Sequence, residues 1–276
     1  AEAGSGEKVA MRMALAATEY QQQPVQHLFI EELSAIREEV SGLIRETITD
    51  ALPTGDLDAL LRGLDQIESP QVDLTALTSK LADDEDSFSS SLSNVDLRRL
   101  LQVAKQLTDL HWRLSEGPNG LGRARFGLAV APGSVATWAG AFPHNPFQVP
   151  VVVDTTGDVS QLAAGLLQGQ IRATTDAVGI MRRARLEIDQ PSGVDWQRAA
   201  IERLTWQELT AQERLLCPPL FLVGDDEILA GRGLAQIAWL LSSKLPIKIL
   251  VMAELDFGLT AGVTTEVPLA PVNNPR

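Results

Sequence analysis

One cysteine, Cys217, stands in 276 residues. A single thiol excludes an internal disulfide and any all-cysteine cluster held by this chain alone. Bases are scarce as well: 23 against 36 acids, a net charge of −13, with no basic block anywhere. That balance argues against a nucleic-acid surface. No apolar run reaches the roughly 20 residues that a membrane-spanning helix needs, and no signal peptide is visible. A cytoplasmic protein with no membrane or nucleic-acid partner is the resulting expectation. Also missing are a nucleophile-elbow serine, zinc-ligand spacing, a Walker loop and any internal repeat. Gly231-Arg-Gly233 is half a dinucleotide fingerprint, because Gln236 stands where the third glycine would be.

What remains is an apolar share of 45%, ordinary for a globular protein with a substantial core. The first part, residues 1–116, reads as a helical region. Ala1-Glu-Ala-Gly-Ser-Gly6 has linker composition and no methionine, as expected of a piece of a longer chain. Val9, Met13, Ala16 and Ala17 fit a helical stripe. A longer helix is predicted from Val25 to Ala51, with Leu28, Leu33, Ile36, Val40, Leu43, Ile44 and Ile48 near the 3.6-residue period. Pro53-Thr-Gly-Asp56 breaks it, Asp56 capping Leu57–Ile67 and Asp73 capping Leu74–Leu81. The acidic, serine-rich stretch 83–93 has too little apolar surface to fold alone. From Ser93 or Asn94 a further helix runs to about Leu114, burying Leu97, Leu101, Ala104, Leu107 and Leu110, with His111 at its surface near the end.

At Gly117-Pro-Asn-Gly120 the texture changes, and residues 117–276 read as an α/β domain. Arg125–Ala131 and Gln148–Val153 read as strands. The two prolines of Phe142–Phe147 remove backbone donors and make that stretch a loop carrying His144 and Asn145. Asp158 or Ser160 caps a long helix from Gln161 to about Ile188, whose Arg172, Arg182, Arg183 and Arg185 read as a solvated face. Trp196–Leu204 and Trp206–Leu215 read as short helices, the second capped by Thr205. Leu220–Val223 is a short, fully apolar run that stops at Gly224-Asp225-Asp226. It is followed by a helix-like Leu234–Leu241 and a β-branched Ile247–Met252. Strand, helix and strand in that order make a βαβ unit with parallel strands, whose ligands sit beyond the carboxyl ends. Gly224 lets a ligand approach the backbone there, and Asp225 is a candidate magnesium ligand; an ordinary polar turn is the plainer reading.

Several runs together resemble one family. Leu209-Thr-Ala-Gln-Glu-Arg-Leu-Leu-Cys-Pro-Pro219, Val223-Gly-Asp225 and Leu245-Pro-Ile-Lys-Ile-Leu-Val251 are similar to the thiamine-diphosphate domain of pyruvate:ferredoxin (flavodoxin) oxidoreductases. Ala131-Pro-Gly-Ser-Val-Ala-Thr-Trp-Ala-Gly140 is similar to that family's Ala-Thr-Gly-Cys-Ser-Ser-Ile-Trp-Gly-Gly loop, and Asp158 falls where the family has an acidic loop. The likeness covers about Arg125–Gly262. It implies a thiamine-diphosphate-binding-like α/β fold, a parallel sheet flanked by helices and preceded by a helical region.

The resemblance also implies site residues: Gly224 beside a diphosphate, Asp225 on magnesium, Gly133 and Ser134 in the loop near the cofactor, and Thr260 and Gly262 after the last strand. The chain departs from the family at several of these. Asp226 replaces the last glycine of Gly-Asp-Gly and sets a second carboxylate beside the diphosphate position. Ala253 replaces a metal-ligating threonine, and Ser134 replaces a cysteine that ligates a [4Fe–4S] cluster. The Cys-X-X-Cys pair that supplies further ligands is absent from the chain. A cluster is therefore not expected, and thiamine diphosphate and magnesium are expected to be lost. The expected function is a structural or partner-binding part of a larger, oligomeric oxidoreductase-like assembly. The alternative is a working thiamine-diphosphate domain of a 2-oxoacid oxidoreductase, completed by another chain or domain.

Overall fold

The computed structural model describes residues 6–51, 94–139, 147, 149–189, 195–229, 231 and 233–253. Outside them lie the predicted break at Pro53–Asp56, the helices at Leu57–Ile67 and Leu74–Leu81, and the acidic 83–93 stretch. His144, Asn145, Thr260 and Gly262 lie outside them too.

Helix α1 spans Gly6–Ala51 and α2 spans Asn94–Ser115. Strand β1 (Gly127–Val130), the short helix α3 (Ser134–Ala139), β2 (Val151–Val153) and the long α4 (Val159–Asp189) follow. Then come α5 (Asp195–Glu202), a 3₁₀ turn at Trp206–Glu208, α6 (Ala211–Leu215), β3 (Leu220–Asp225), α7 (Asp226–Leu229), α8 (Leu234–Ser242) and β4 (Ile247–Met252). The four strands form one parallel sheet in the order β2-β1-β3-β4. The α/β class, the parallel sheet and its flanking helices agree with expectation.

Strand periodicity decides what each face meets. Ala129, Leu220 and Leu222 face one way, onto Val159, Ala163 and Leu167 of α4 and Ile237 and Leu240 of α8. Leu128, Val130, Phe221 and Val223 face the other way, onto Met11 and Leu15 of α1 and Val135 and Ala139 of α3. At about 1.5 Å per residue α4 is roughly 46 Å long, so it extends well past the sheet. Its Ala177, Met181 and Ala184 join Leu33, Ile36, Val40 and Ile44 of α1 and Leu101 and Leu107 of α2 in a separate helical core. The helices that precede the sheet thus share a core with one that covers it.

Four details depart from the sequence reading. Helix α1 does not restart at Val25 but runs straight through Pro24. Its first buried stripe is Met11, Leu15 and Thr18, one to two positions away from the predicted one; Val9 and Met13 are exposed, as is Leu28. Without a partner surface in view, two overlapping stripes of a nearly all-apolar stretch cannot be ranked. The arginines of α4 are not simply solvated. Arg182 donates to both carboxylate oxygens of Glu213 at 2.9 and 2.6 Å, Arg183 donates to Gln106 at 2.9 Å, and Arg185 pairs with Glu32. They tie α4 to α6, α2 and α1. The predicted helix Trp206–Leu215 divides in two: Thr205 donates its N–H and hydroxyl to the Glu208 carboxylate at the first piece, and Thr210 and Glu213 cap the second reciprocally.

Candidate functional site

In the order β2-β1-β3-β4 the chain goes from β1 outward to β2, then returns past β1 to lay down β3 and β4. The topological switch therefore falls between β1 and β3, and the crevice beyond their carboxyl ends is where open parallel sheets take ligands. Gly133 and Ser134 follow β1 there, and Gly224, Asp225 and Asp226 end β3 and open α7. Two of the predicted site residues, Ser134 and Asp225, are in contact across this crevice. Ser134 donates its backbone N–H to Asp225 Oδ2 and its hydroxyl to Oδ1, each at 3.1 Å.

The glycines are what allow that approach. Gly133 has φ of +136°, and a Cβ built on it would lie 2.1 Å from Asp225 Oδ2. A Cβ on Gly224 would lie 2.6 Å from that of Ala131, so the β1 and β3 exits are packed backbone to side chain. The carboxylate of Asp225 also sits at the first turn of α3, where a negative charge is favoured.

Two further acids border the crevice, and sequence reasoning missed both. Glu7 of α1 accepts from the Ser134 hydroxyl at 2.8 Å. One hydroxyl carries one proton, so Glu7 and Asp225 share it. No sequence signal links residues so far apart. Asp154 follows β2 and is 7% exposed; its Oδ1 accepts from the N–H of Thr156 at 2.9 Å and from the Thr156 hydroxyl at 2.7 Å. Burial opposes its ionisation, but Thr156, helped by the N–H groups of Asp158 and Gly157, holds it below the usual carboxylate value. Its other oxygen, Oδ2, is buried without a hydrogen-bond partner among the described residues. The acid-then-Thr-Thr-Gly sequence after Val151–Val153 is the turn signal that could have found it.

Both Asp225 oxygens accept from Ser134, Ala253 after β4 has no side-chain oxygen, and the acids at 7, 225 and 226 repel an anion. No group of three histidine, cysteine or acidic side chains suited to a metal occurs among the described residues. Among the described residues the histidines are His27 and His111, which belong to α1 and α2. Burial half hides His111, against the surface position expected, and with nearby Arg37 it lowers the imidazole pKa, Glu116 opposing. Cys217 is buried, and burial pushes its thiol up, which leaves it unreactive. No helix among the described residues is long and apolar enough to cross a membrane. Comparison with protein-family models, curated proteins and solved structures finds no match for this chain.

Proposed function

We propose that this chain is a thiamine-fold domain that has given up cofactor and iron–sulfur cluster, and that it serves as a structural, partner-binding part of a larger oxidoreductase-like assembly. The carrying observation is the Ser134–Asp225 contact. The residue in the place of a cluster cysteine donates twice to the residue in the place of a metal-binding aspartate. The two positions that would serve chemistry now serve each other. They join the β1 and β3 exits, and each Asp225 oxygen accepts one hydrogen bond from Ser134.

The partner-binding half of the reading rests on the other side of the sheet. Among the described residues β4 is an edge strand, and Val251 on it is 47% exposed. Beside it α8 turns Leu234, Trp239 and Leu241 outward, each more than half exposed. An apolar surface next to a strand edge is what a partner covers.

The test is calorimetric titration of thiamine diphosphate with magnesium into the chain and into Asp225→Ala. No binding in the micromolar range is expected for either. Micromolar binding that the substitution abolishes supports instead a working thiamine-diphosphate domain completed by another chain.

A further inference from the structure

We propose that a cavity next to the Asp225 crevice, not lined by Gly133, Ser134, Gly224 or Asp225, binds a small monoanion: one carboxylate-like head on an apolar, ring-sized body. The cavity is about 890 Å³ and lies on the α1 face of the sheet. It runs from the amino ends of β1 and β2, at Arg123–Phe126 and Val149, along α1 to Trp138. That volume suits a small organic ligand.

Its walls are apolar and its polar groups are donors. Met11, Leu15, Phe126 and Phe147 line it, and the rings of Trp138 and Phe147 stand 6.1 Å apart at 54°. Among the described residues four cationic side chains, Lys8, Arg12, Arg123 and Arg125, line it together with one carboxylate, Glu19, which is paired with Arg125. In a chain with a net charge of −13 this is a local reversal of sign.

Two of these donors are buried with nothing to donate to among the described residues: Arg125 Nε and Trp138 Nε1. Arg123 has no carboxylate partner there either. Its guanidinium donates to the Thr174 hydroxyl at 2.9 Å, and burial lowers its pKa. A cation in a partly desolvated wall, without a carboxylate partner among the described residues, carries an energetic penalty that an acceptor with negative charge relieves. A guanidinium fork matches a carboxylate in two hydrogen bonds, while the ring pair takes the apolar body. The Nζ of Lys8, 5.9 Å from the Trp138 ring centre, adds charge at the same mouth. A phosphate monoester would bring two charges into an apolar slot; one charge fits the donor set better.

The probe is naphthalene-2-carboxylate, with naphthalene-2-carboxamide as its neutral counterpart, each titrated into the full chain by calorimetry. The acid is expected to bind at least tenfold more tightly than the amide, and more weakly as salt is raised. Arg123→Gln should bring the acid to the affinity of the amide. Because that variant removes a largely buried group, Ala16→Trp is the second test: Ala16 is exposed on the cavity wall, and an indole there should block both probes. Equal affinities for acid and amide, no binding of either, or binding unchanged by Ala16→Trp overturns the proposal.

Discussion

Ser134 and Asp225, 91 residues apart in sequence, are joined by two hydrogen bonds from one residue to the two oxygens of the other. The pair spans the central junction of the sheet, so it acts as a clasp between the β1 and β3 exits. A double-mutant cycle on Ser134→Ala and Asp225→Ala should show a coupling of about 1 kcal/mol in urea unfolding, modest because the contact is exposed to solvent. Because Ser134→Ala keeps the backbone N–H, additive effects of the two substitutions would mean that the hydroxyl bond contributes nothing.

Gly133→Ala should be far more costly than its size suggests. It forces an L side chain into φ of +136° and drives a Cβ onto the Asp225 carboxylate. A loss of roughly 2–3 kcal/mol is expected. Gly169→Ala makes the contrast: it is exposed within α4 with open space around it, and it should gain roughly 0.5–1 kcal/mol from helix propensity. Denaturant midpoints moving in the same direction for both would contradict the geometry.

Pro24 interrupts the hydrogen-bond ladder of α1 without ending the helix. The packing of Met11 and Leu15 on the sheet and of Leu33, Ile36 and Val40 on α2 and α4 holds both halves in line. Restoring the missing N–H with Pro24→Ala should stabilise the protein by about 1–3 kcal/mol, and the melting temperature should rise. An unchanged or lower melting temperature would show that the ring is needed where it stands.

Ion pairs of similar appearance should differ in worth. Arg198 grips Glu187 with two hydrogen bonds at 3.0 and 3.2 Å, and the Glu187 side chain is 9% exposed. Arg198→Met strands that carboxylate and should cost about 2 kcal/mol. Arg185 and Glu32 are about half exposed, so Arg185→Met should cost about 0.5 kcal/mol or less. Chemical denaturation of the two variants side by side orders them.

His111 offers a pH test. Burial first, and Arg37 second, lower its pKa from the ordinary 6.5. Between the folded value and 6.5 the unfolded chain binds more protons. The contribution of His111 is therefore complete above 6.5 and is lost as pH falls toward the folded value. By proton NMR its ring should titrate below 6.5, and Arg37→Met should move the midpoint part of the way back. A wild-type midpoint at or above 6.5 would contradict the burial.

Sequence patterning was enough for the four strands and the long helices, but not for the short helices at Ser134–Ala139 and Asp226–Leu229. The apolar runs at 127–130 and 220–225 are strands because a sheet buries both sides of so short a run, and the β-branched runs at 151–153 and 247–252 pair beside them, partly buried. It was also enough to place Gly133, Ser134, Gly224 and Asp225 at strand ends. Only the tertiary structure decided that Ser134 would bond Asp225, that Glu7 would share the same hydroxyl, and that Arg123 would line the cavity with no carboxylate partner among the described residues. Local pattern records which face of an element wants burial. Which buried faces meet depends on many weak long-range contacts summed over the whole chain, and no window of sequence contains that sum.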